Sequence, residues 1–264
     1  MAKYKVENLK AKINKIIEGL ETETENAKFS KDFENYLQTV GKFHNYSFLN
    51  QFLIGLRNAS HVAGFNAWKQ KFNRHVKSGE AGIPIFAPIL VNRENEDGEK
   101  VKRLVGFKIV YVWDISQTDG EEIPELNIWK SKNKNEVLES ALRKYAESLG
   151  LKIISENTGS AEGYINTKKE IHIKPDAGTK TLAHEIAHYL CGHVSENTPR
   201  LSHKIVETQA EASAYAVMYH FGIVAEGSKN YLALTGTNHD DFRNSMQKIS
   251  KTASKIISGI EENL

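Results

Sequence analysis

The sequence of 264 residues has few of the features that are typical of secreted or membrane proteins. It contains one cysteine, Cys191, which excludes an internal disulfide and fits a reducing compartment. No apolar run approaches the roughly 18 residues of a membrane span. Met1 to Leu20 mixes lysines with apolar residues instead of forming the apolar block of a signal peptide. We therefore expect a cytoplasmic protein with no membrane partner.

The chain is long enough for two domains, and its hydrophobic fraction of 40% is sufficient for two cores. Ile128 to Glu136 is polar and lacks apolar periodicity, which is typical of a linker. The domain boundary is therefore predicted near residue 132, with domains at residues 1–132 and 133–264.

Apolar periodicity predicts helices in both halves of the chain. In the first half, three amphipathic helices and a short fourth one precede two β-branched runs, Ile83 to Val91 and Val105 to Ile115, which predict a strand pair. Pro84 and Pro88 indicate that the first strand is an edge strand or is bulged. In the second half we expect a strand at 151–155, a hairpin around Tyr164, and helices at 136–149, 180–192, 202–221, 228–233 and 239–260.

The most specific pattern is His-Glu-x-x-His within the helical stretch 181–192. Histidines at i and i+4 lie one above the other on a helix, so His184 and His188 can converge on one zinc ion. Glu185 follows the first histidine and can accept a proton from a water molecule at the open coordination position. Small and apolar neighbours are typical of a buried active-site helix. The pattern predicts a zinc site of the peptidase type, with Glu185 as the catalytic base.

A zinc ion that keeps a water molecule needs a third protein ligand. Glu207 and Glu211 stand one turn apart in an alanine-rich stretch, where buried carboxylates need partners. We assign Glu207 as the third ligand and Glu211 as the acceptor that orients a ligating imidazole, although the two roles could be reversed. Cys191, three residues after His188, is either a further ligand or a small core residue.

The first half also contains a basic window, because no acidic residue occurs between Glu34 and Glu80. Such a window is either a phosphate-binding surface or an ordinary solvated face. Aromatic residues in and beside it could stack on bases or form core. The candidate nucleic-acid-binding residues are Tyr46, Phe65, Trp68, Lys69, Lys71, Arg74 and Lys77.

Residues 181–188 and the pattern Glu207-x-x-x-Glu211-Ala-x-Ala-Tyr resemble the zincin-like metallopeptidase domain of IrrE, ImmA and ArdC-type antirestriction proteins. The first half resembles the single-stranded DNA-binding domain of ArdC, in the stretches 46–51, 64–68, 76–83 and 107–118. This resemblance implies an α+β fold. N-terminal helices with a small antiparallel sheet would precede a zincin-like domain that has a helical active site, a short sheet and a C-terminal helix.

The same resemblance implies a protein that binds single-stranded DNA, holds Zn²⁺ and protects incoming mobile-element or phage DNA from restriction. Residues 1–132 would bind the DNA, and residues 133–264 would form the metallopeptidase domain. One alternative is a DNA-associated zinc protease that cleaves DNA-bound proteins or a repressor, so a protein substrate is a further expected partner. A binding module with a vestigial zinc site is disfavoured, because zinc binding alone would not require Glu185.

Overall fold

The structure, a computed structural model, describes residues 2–23, 26–94, 99–123, 134–195, 201–223, 234 and 237–264. These residues form an α+β fold, which confirms the predicted fold class. The helices are α1 (Ala2–Glu21), α2 (Asn26–Lys42), α3 (Phe48–Gly55), α4 (Phe65–Phe72), α5 (Lys134–Ser148), α6 (Thr179–Leu190), α7 (His203–His220) and α8 (His239–Glu261). The strands are β1 (Val62–Gly64), β2 (Arg74–Val76), β3 (Ile83–Glu94), β4 (Lys100–Asp114), β5 (Thr118–Gly120), β6 (Lys152–Ser155), β7 (Gly163–Ile165) and β8 (Glu170–Ile173).

The chain divides into two compact units that are not consecutive in sequence. The first unit comprises Met1–Ile17 and Leu49–Pro124, and the second comprises Glu18–Phe48 and Glu125–Leu264. The sequence predicts instead a single boundary near residue 132, which falls in 124–133, outside the described residues. The structural reason for the difference is helix α2, which is grouped with the C-terminal helices.

The first unit is built around a long antiparallel hairpin of β3 and β4, with β1 on the other side of β4. Strand β3 is therefore an edge strand, and its register shifts between Ile89 and Leu90, in agreement with the expectation from its two prolines. The predicted turn at Asp97 and Gly98 lies outside the described residues. A second pair, β2 with β5, is also antiparallel.

The second unit contains a three-stranded sheet and a helical layer. Strand β8 lies between β6, to which it is parallel, and β7, to which it is antiparallel. Helices α6, α7 and α8 pack together, and α7 contributes a run of small buried residues that lets its neighbours approach closely. These residues are Ala210, Ala212, Ser213, Ala214 and Ala216. The predicted helix at 228–233 lies outside the described residues.

Helix α2 completes this helical layer from a distant part of the chain. Its apolar residues Phe33, Leu37 and Val40 are fully buried, as the 3.6-residue period of an amphipathic helix requires. Tyr36 donates a hydrogen bond to the backbone oxygen of Met246 (2.9 Å). At Gly41 a Cβ atom would lie 2.6 Å from the backbone oxygen of Ala216, so only glycine permits this approach of α2 to α7. In the described part of the chain no helix combines the length and apolarity needed to cross a bilayer.

Candidate metal centre and nucleic-acid interface

Helix α6 presents the two histidines of the His-Glu-x-x-His pattern from a buried position. Its core face is formed by Leu182, Ala183, Ile186 and Ala187, which are almost completely buried. The next turn of chain is set by Gly192, whose φ of 77° lies in the left-handed region that favours glycine. This turn brings the chain that follows α6 back toward the metal centre.

Three donor atoms from α6 and α7 meet at one point. His184 Nε2 and His188 Nε2 are 2.9 Å apart. Glu207, on α7, places Oε2 3.4 Å from His184 Nε2 and Oε1 3.6 Å from His188 Nε2. All three residues offer donor atoms within 4.8 Å of one another, so they could hold a metal ion together.

The Nδ1 atom of His184 faces a second carboxylate, that of Glu211. Glu211 Oε2 lies 3.3 Å from His184 Nδ1, and Glu211 Oε1 accepts a hydrogen bond from Lys180 Nζ at 2.6 Å. An acceptor at Nδ1 holds a proton there, so Nε2 is the nitrogen that would bind a metal in exchange for its proton. Burial lowers the pKa of His184, but Glu207 and Glu211 outweigh it and raise this pKa to about 9, so the centre attracts positive charge.

A series of hydrogen bonds orients the His188 ring so that its Nε2 atom also faces the metal centre. Gln209 Nε2 donates to Ser245 Oγ (2.8 Å), so Gln209 Oε1 accepts from His193 Nε2 (2.9 Å). Burial lowers the pKa of His193 to about 4, and the neutral ring therefore accepts at Nδ1 from His188 Nδ1, 3.1 Å away. This arrangement directs His188 Nε2 at His184 and Glu207. The sequence analysis did not identify Gln209 or Ser245, since no local pattern links them to the histidines.

Glu185 is buried on the same helix, beside the two histidines. Burial raises the pKa of its carboxyl group, while the charges of His184 and His188 act in the opposite direction. A buried carboxylate with a raised pKa is a better proton acceptor than an exposed one. Cys191 Sγ instead lies 3.3 Å from Thr252 Oγ1 in the core, away from the three donor atoms.

Two of the predicted nucleic-acid contacts form hydrogen bonds within the protein. Trp68 is only 1% exposed and donates its indole N–H to the backbone oxygen of Trp113 (2.9 Å), so it has no ring face for a base. The Arg74 guanidinium donates to Thr118 Oγ1 (2.8 Å) and to the backbone oxygens of Thr118 and Gly120 (3.0 Å each). Arg74 therefore holds β2 to β5 and is not available for a phosphate.

The remaining candidates have different surroundings. Phe65, Lys69 and Lys71 are exposed on α4. Lys77 is exposed too, but its Nζ contacts the backbone oxygen of Ser116 (3.1 Å). Tyr46 is partly buried against Phe43 and belongs to the second unit, so the structure does not group it with the other candidates.

The long hairpin adds exposed aromatic rings, which the sequence analysis did not single out, beside the candidate Phe65 of α4. Tyr111 and Phe65 are each 54% exposed, and Phe107 is also exposed. Phe65 packs edge-on against Trp113, with ring centroids 5.8 Å apart. Gly82 lies beneath Trp113 and Tyr111, where a Cβ atom would meet both at 2.9 Å. We call Phe65, Phe107, Tyr111 and Trp113 the aromatic strip. The alternation of β4 could have revealed it, because residues 107, 111 and 113 share one face of the strand.

Comparisons with known proteins match both halves of the chain. A family model described as the N-terminal domain of anti-restriction factor ArdC matches residues 7–139, which is half of the chain. A comparison with curated proteins found no match.

Two crystal structures of the antirestriction protein ArdC from plasmid R388 are similar to this chain. The Mn(II)-bound form is 19% identical with a TM-score of 0.50, covering 83% of this chain and 84% of that chain, and its likeness shows a shared fold. The metal-free form is 18% identical with a TM-score of 0.49, covering 83% of this chain and 86% of that chain.

Proposed function

This chain belongs to the ArdC family of antirestriction proteins, and we propose that it binds single-stranded DNA through its first unit and zinc through its second. The metal part of the proposal rests on one observation, the meeting of His184, His188 and Glu207 within 4.8 Å. The proposed role is protection of incoming mobile-element or phage DNA from restriction.

The donor set of this centre fits zinc. At metal–ligand distances of about 2.0–2.1 Å, the donors of a tetrahedral ion lie roughly 3.3 Å apart. The separations here are 2.9 Å between the two Nε2 atoms, 3.4 Å from His184 Nε2 to Glu207 Oε2 and 3.6 Å from His188 Nε2 to Glu207 Oε1, so the three side chains could close on one ion with small movements. Two imidazoles and one carboxylate bind Zn²⁺ more tightly than Mn²⁺. The related ArdC structure is described as Mn(II)-bound, which makes manganese the alternative ion.

Zinc at this centre would lower the pKa of a bound water toward about 7 and polarise the carbonyl oxygen of a substrate. A water molecule that attacks an amide carbonyl must lose a proton, and the buried carboxylate of Glu185 is the nearby acceptor. The same proton can pass from Glu185 to the nitrogen that leaves as the C–N bond breaks. Glu211 and the chain from His193 to Ser245 would keep both imidazoles aligned throughout.

The proposed DNA surface is the aromatic strip together with Lys69 and Lys71. Exposed rings offer stacking faces to the unpaired bases of a single strand, whereas duplex DNA hides those faces. Lys69 stands one helical turn after Phe65 on α4, so a base on this ring would bring its phosphate within reach of the lysine. Lys10 Nζ lies 5.7 Å from the centre of the Phe107 ring and adds a cation at the other end of the strip.

The test compares wild type with Glu185→Gln in a restriction-protection assay and in a protease assay with single-stranded DNA present. Casein and the restriction enzyme itself serve as protein substrates. We expect the variant to keep its zinc and its DNA affinity but to lose proteolysis, because only the proton acceptor changes. His61→Ala is the control, since His61 is exposed and is not a donor of the metal centre.

The second candidate function is a DNA-associated zinc protease that acts on DNA-bound proteins or a repressor, and the buried Glu185 favours it. If Glu185→Gln protects DNA as well as wild type does, DNA binding alone accounts for protection. If protection falls together with proteolysis, the protease function is the biological one. A wild-type protein that lacks both single-stranded DNA affinity and bound metal would contradict both proposals.

A further inference from the structure

A second group of two histidines and one glutamate lies in the second unit. His44 follows α2, His220 is the last residue of α7, and Glu261 is the last residue of α8. Along α7, His220 stands 13 residues after Glu207, or roughly 20 Å at a rise of 1.5 Å per residue. This group is therefore separate from the metal centre on α6.

The distances in this second group match those of the first. Glu261 Oε2 lies 3.3 Å from His44 Nε2, and Glu261 Oε1 lies 3.3 Å from His220 Nε2. The two imidazole rings are 4.7 Å apart and nearly perpendicular, at 81°. In both groups one carboxylate therefore faces two imidazole nitrogens, and the donor atoms lie within 4.8 Å of one another.

The surroundings of the two imidazole rings favour metal binding. His220 Nδ1 donates to the backbone oxygen of Gly41 at 2.9 Å, which directs Nε2 at the cluster. The His44 side chain is only 5% exposed, and within the described residues neither of its ring nitrogens forms a hydrogen bond of normal geometry. A cation at the centre would satisfy this buried nitrogen.

We propose that His44, His220 and Glu261 form a second site for a zinc-type divalent ion. Two imidazoles and a carboxylate are donors that such ions accept, and Glu261, 39% exposed, leaves a coordination position open to water. Neither histidine has an acidic neighbour in sequence like Glu185, because His44 is flanked by Phe43 and Asn45 and His220 by Tyr219 and Phe221. The ion is therefore structural: it joins the ends of three helical segments and ties residues 18–48 to the rest of the second unit.

This inference does not depend on the proposed function, and zinc content of the full-length protein tests it. After zinc loading and removal of free metal, we expect about two ions per wild-type chain and about one in His220→Gln. We expect about one in His184→Ala and none in the double variant. Two ions retained in His220→Gln would overturn the proposal. If His184→Ala loses no ion while His220→Gln does, the second site stands and the first fails.

A second measurement separates loss of metal from loss of folding. Thermal unfolding is followed in His184→Ala, which keeps only the second site, with and without zinc. Bound zinc should raise its melting temperature, because an ion that binds only the folded state stabilises that state. Adding Glu261→Gln, a surface change, should abolish the increase, whereas adding Glu262→Gln at the exposed neighbouring position should preserve it. An equal zinc effect in both double variants would contradict the assignment of Glu261.

Discussion

The metal centre and the aromatic strip differ in what brings their residues together. His184 and His188 are one helical turn apart, so the geometry of α6 alone makes them converge. Phe65 and Tyr111 come from α4 and β4, and only the packing of these elements decides which rings face solvent. A site encoded by local spacing can be identified from sequence, whereas a surface encoded by tertiary packing requires the structure.

Helix α4 contains this contrast within a single turn. Phe65 and Trp68 are three residues apart, and both are aromatic residues in a basic stretch. Yet Phe65 is exposed, while Trp68 is buried and hydrogen-bonded to the backbone of Trp113. Residue type alone therefore did not distinguish a stacking platform from a core residue.

The largest expected effect is the loss of zinc from the metal centre, whose histidines are placed by local spacing on α6. His188→Ala should remove about one zinc ion per chain, because two remaining ligands do not hold zinc tightly. Glu185→Gln should keep that ion, since Glu185 is not a donor in the cluster. Metal analysis after mild chelation measures both variants. Full zinc content in His188→Ala would refute the assignment of the centre.

A chelator titration ranks the two glutamates of α7. Glu207→Ala should lose the zinc ion of the centre on α6 under mild chelation, because Glu207 is the donor that faces both Nε2 atoms. Glu211→Ala should keep zinc with an affinity reduced about 10- to 100-fold, the usual cost of removing a group that orients a ligand. The opposite ranking would assign the metal to Glu211 and leave His184 and His188 unaffected.

The affinity for single-stranded DNA tests the aromatic strip, which tertiary packing brings together. Phe65→Ala and Tyr111→Ala should each weaken binding about 5- to 150-fold, which corresponds to roughly 1–3 kcal/mol per stacked base. Trp68→Phe is the matched control, because it should lower the free energy of unfolding without changing the affinity of the folded protein. Fluorescence anisotropy and denaturant unfolding give the two quantities. If Trp68→Phe weakened DNA binding while Phe65→Ala and Tyr111→Ala did not, Trp68 would be the DNA contact.

The smallest effect is expected from the lysines of α4. Lys69→Gln and Lys71→Gln should each reduce the slope of log affinity against log salt by about 0.7, because each removes one phosphate contact with a single strand. Arg74→Gln should instead destabilise the pairing of β2 with β5. Binding measured at several salt concentrations distinguishes these outcomes. A slope unchanged by both lysine variants would exclude α4 from the DNA surface.

The sequence predicted most elements of the fold and only part of their arrangement. Helices α1, α6 and α8 follow from the apolar period, and the edge position of β3 follows from Pro84 and Pro88. The parallel pairing of β6 with β8 could not be predicted, since it depends on contacts between distant segments.

The same distinction holds for the candidate site. His184, Glu185 and His188 form a pattern within five residues, whereas the path from His193 through Gln209 to Ser245 joins α7 and α8 across 52 residues of sequence (245 − 193). His44 and His220 are separated by an even longer stretch of sequence, and neither residue belongs to a recognisable motif. Sequence alone therefore could not reveal it.

The discontinuity of the second unit affects how the protein can be synthesised and dissected. Residues 18–48 leave the ribosome long before α7 and α8. Until those helices are synthesised, the apolar side chains of α2 (Phe33, Leu37 and Val40) are exposed to solvent. During that interval, residues 49–124 emerge and form the other compact unit together with residues 1–17. A C-terminal fragment that begins at residue 125 would lack α2 and expose the apolar groove that α2 fills. A minimal version of the second unit would join residues 18–48 to residues 125–264 through a short linker.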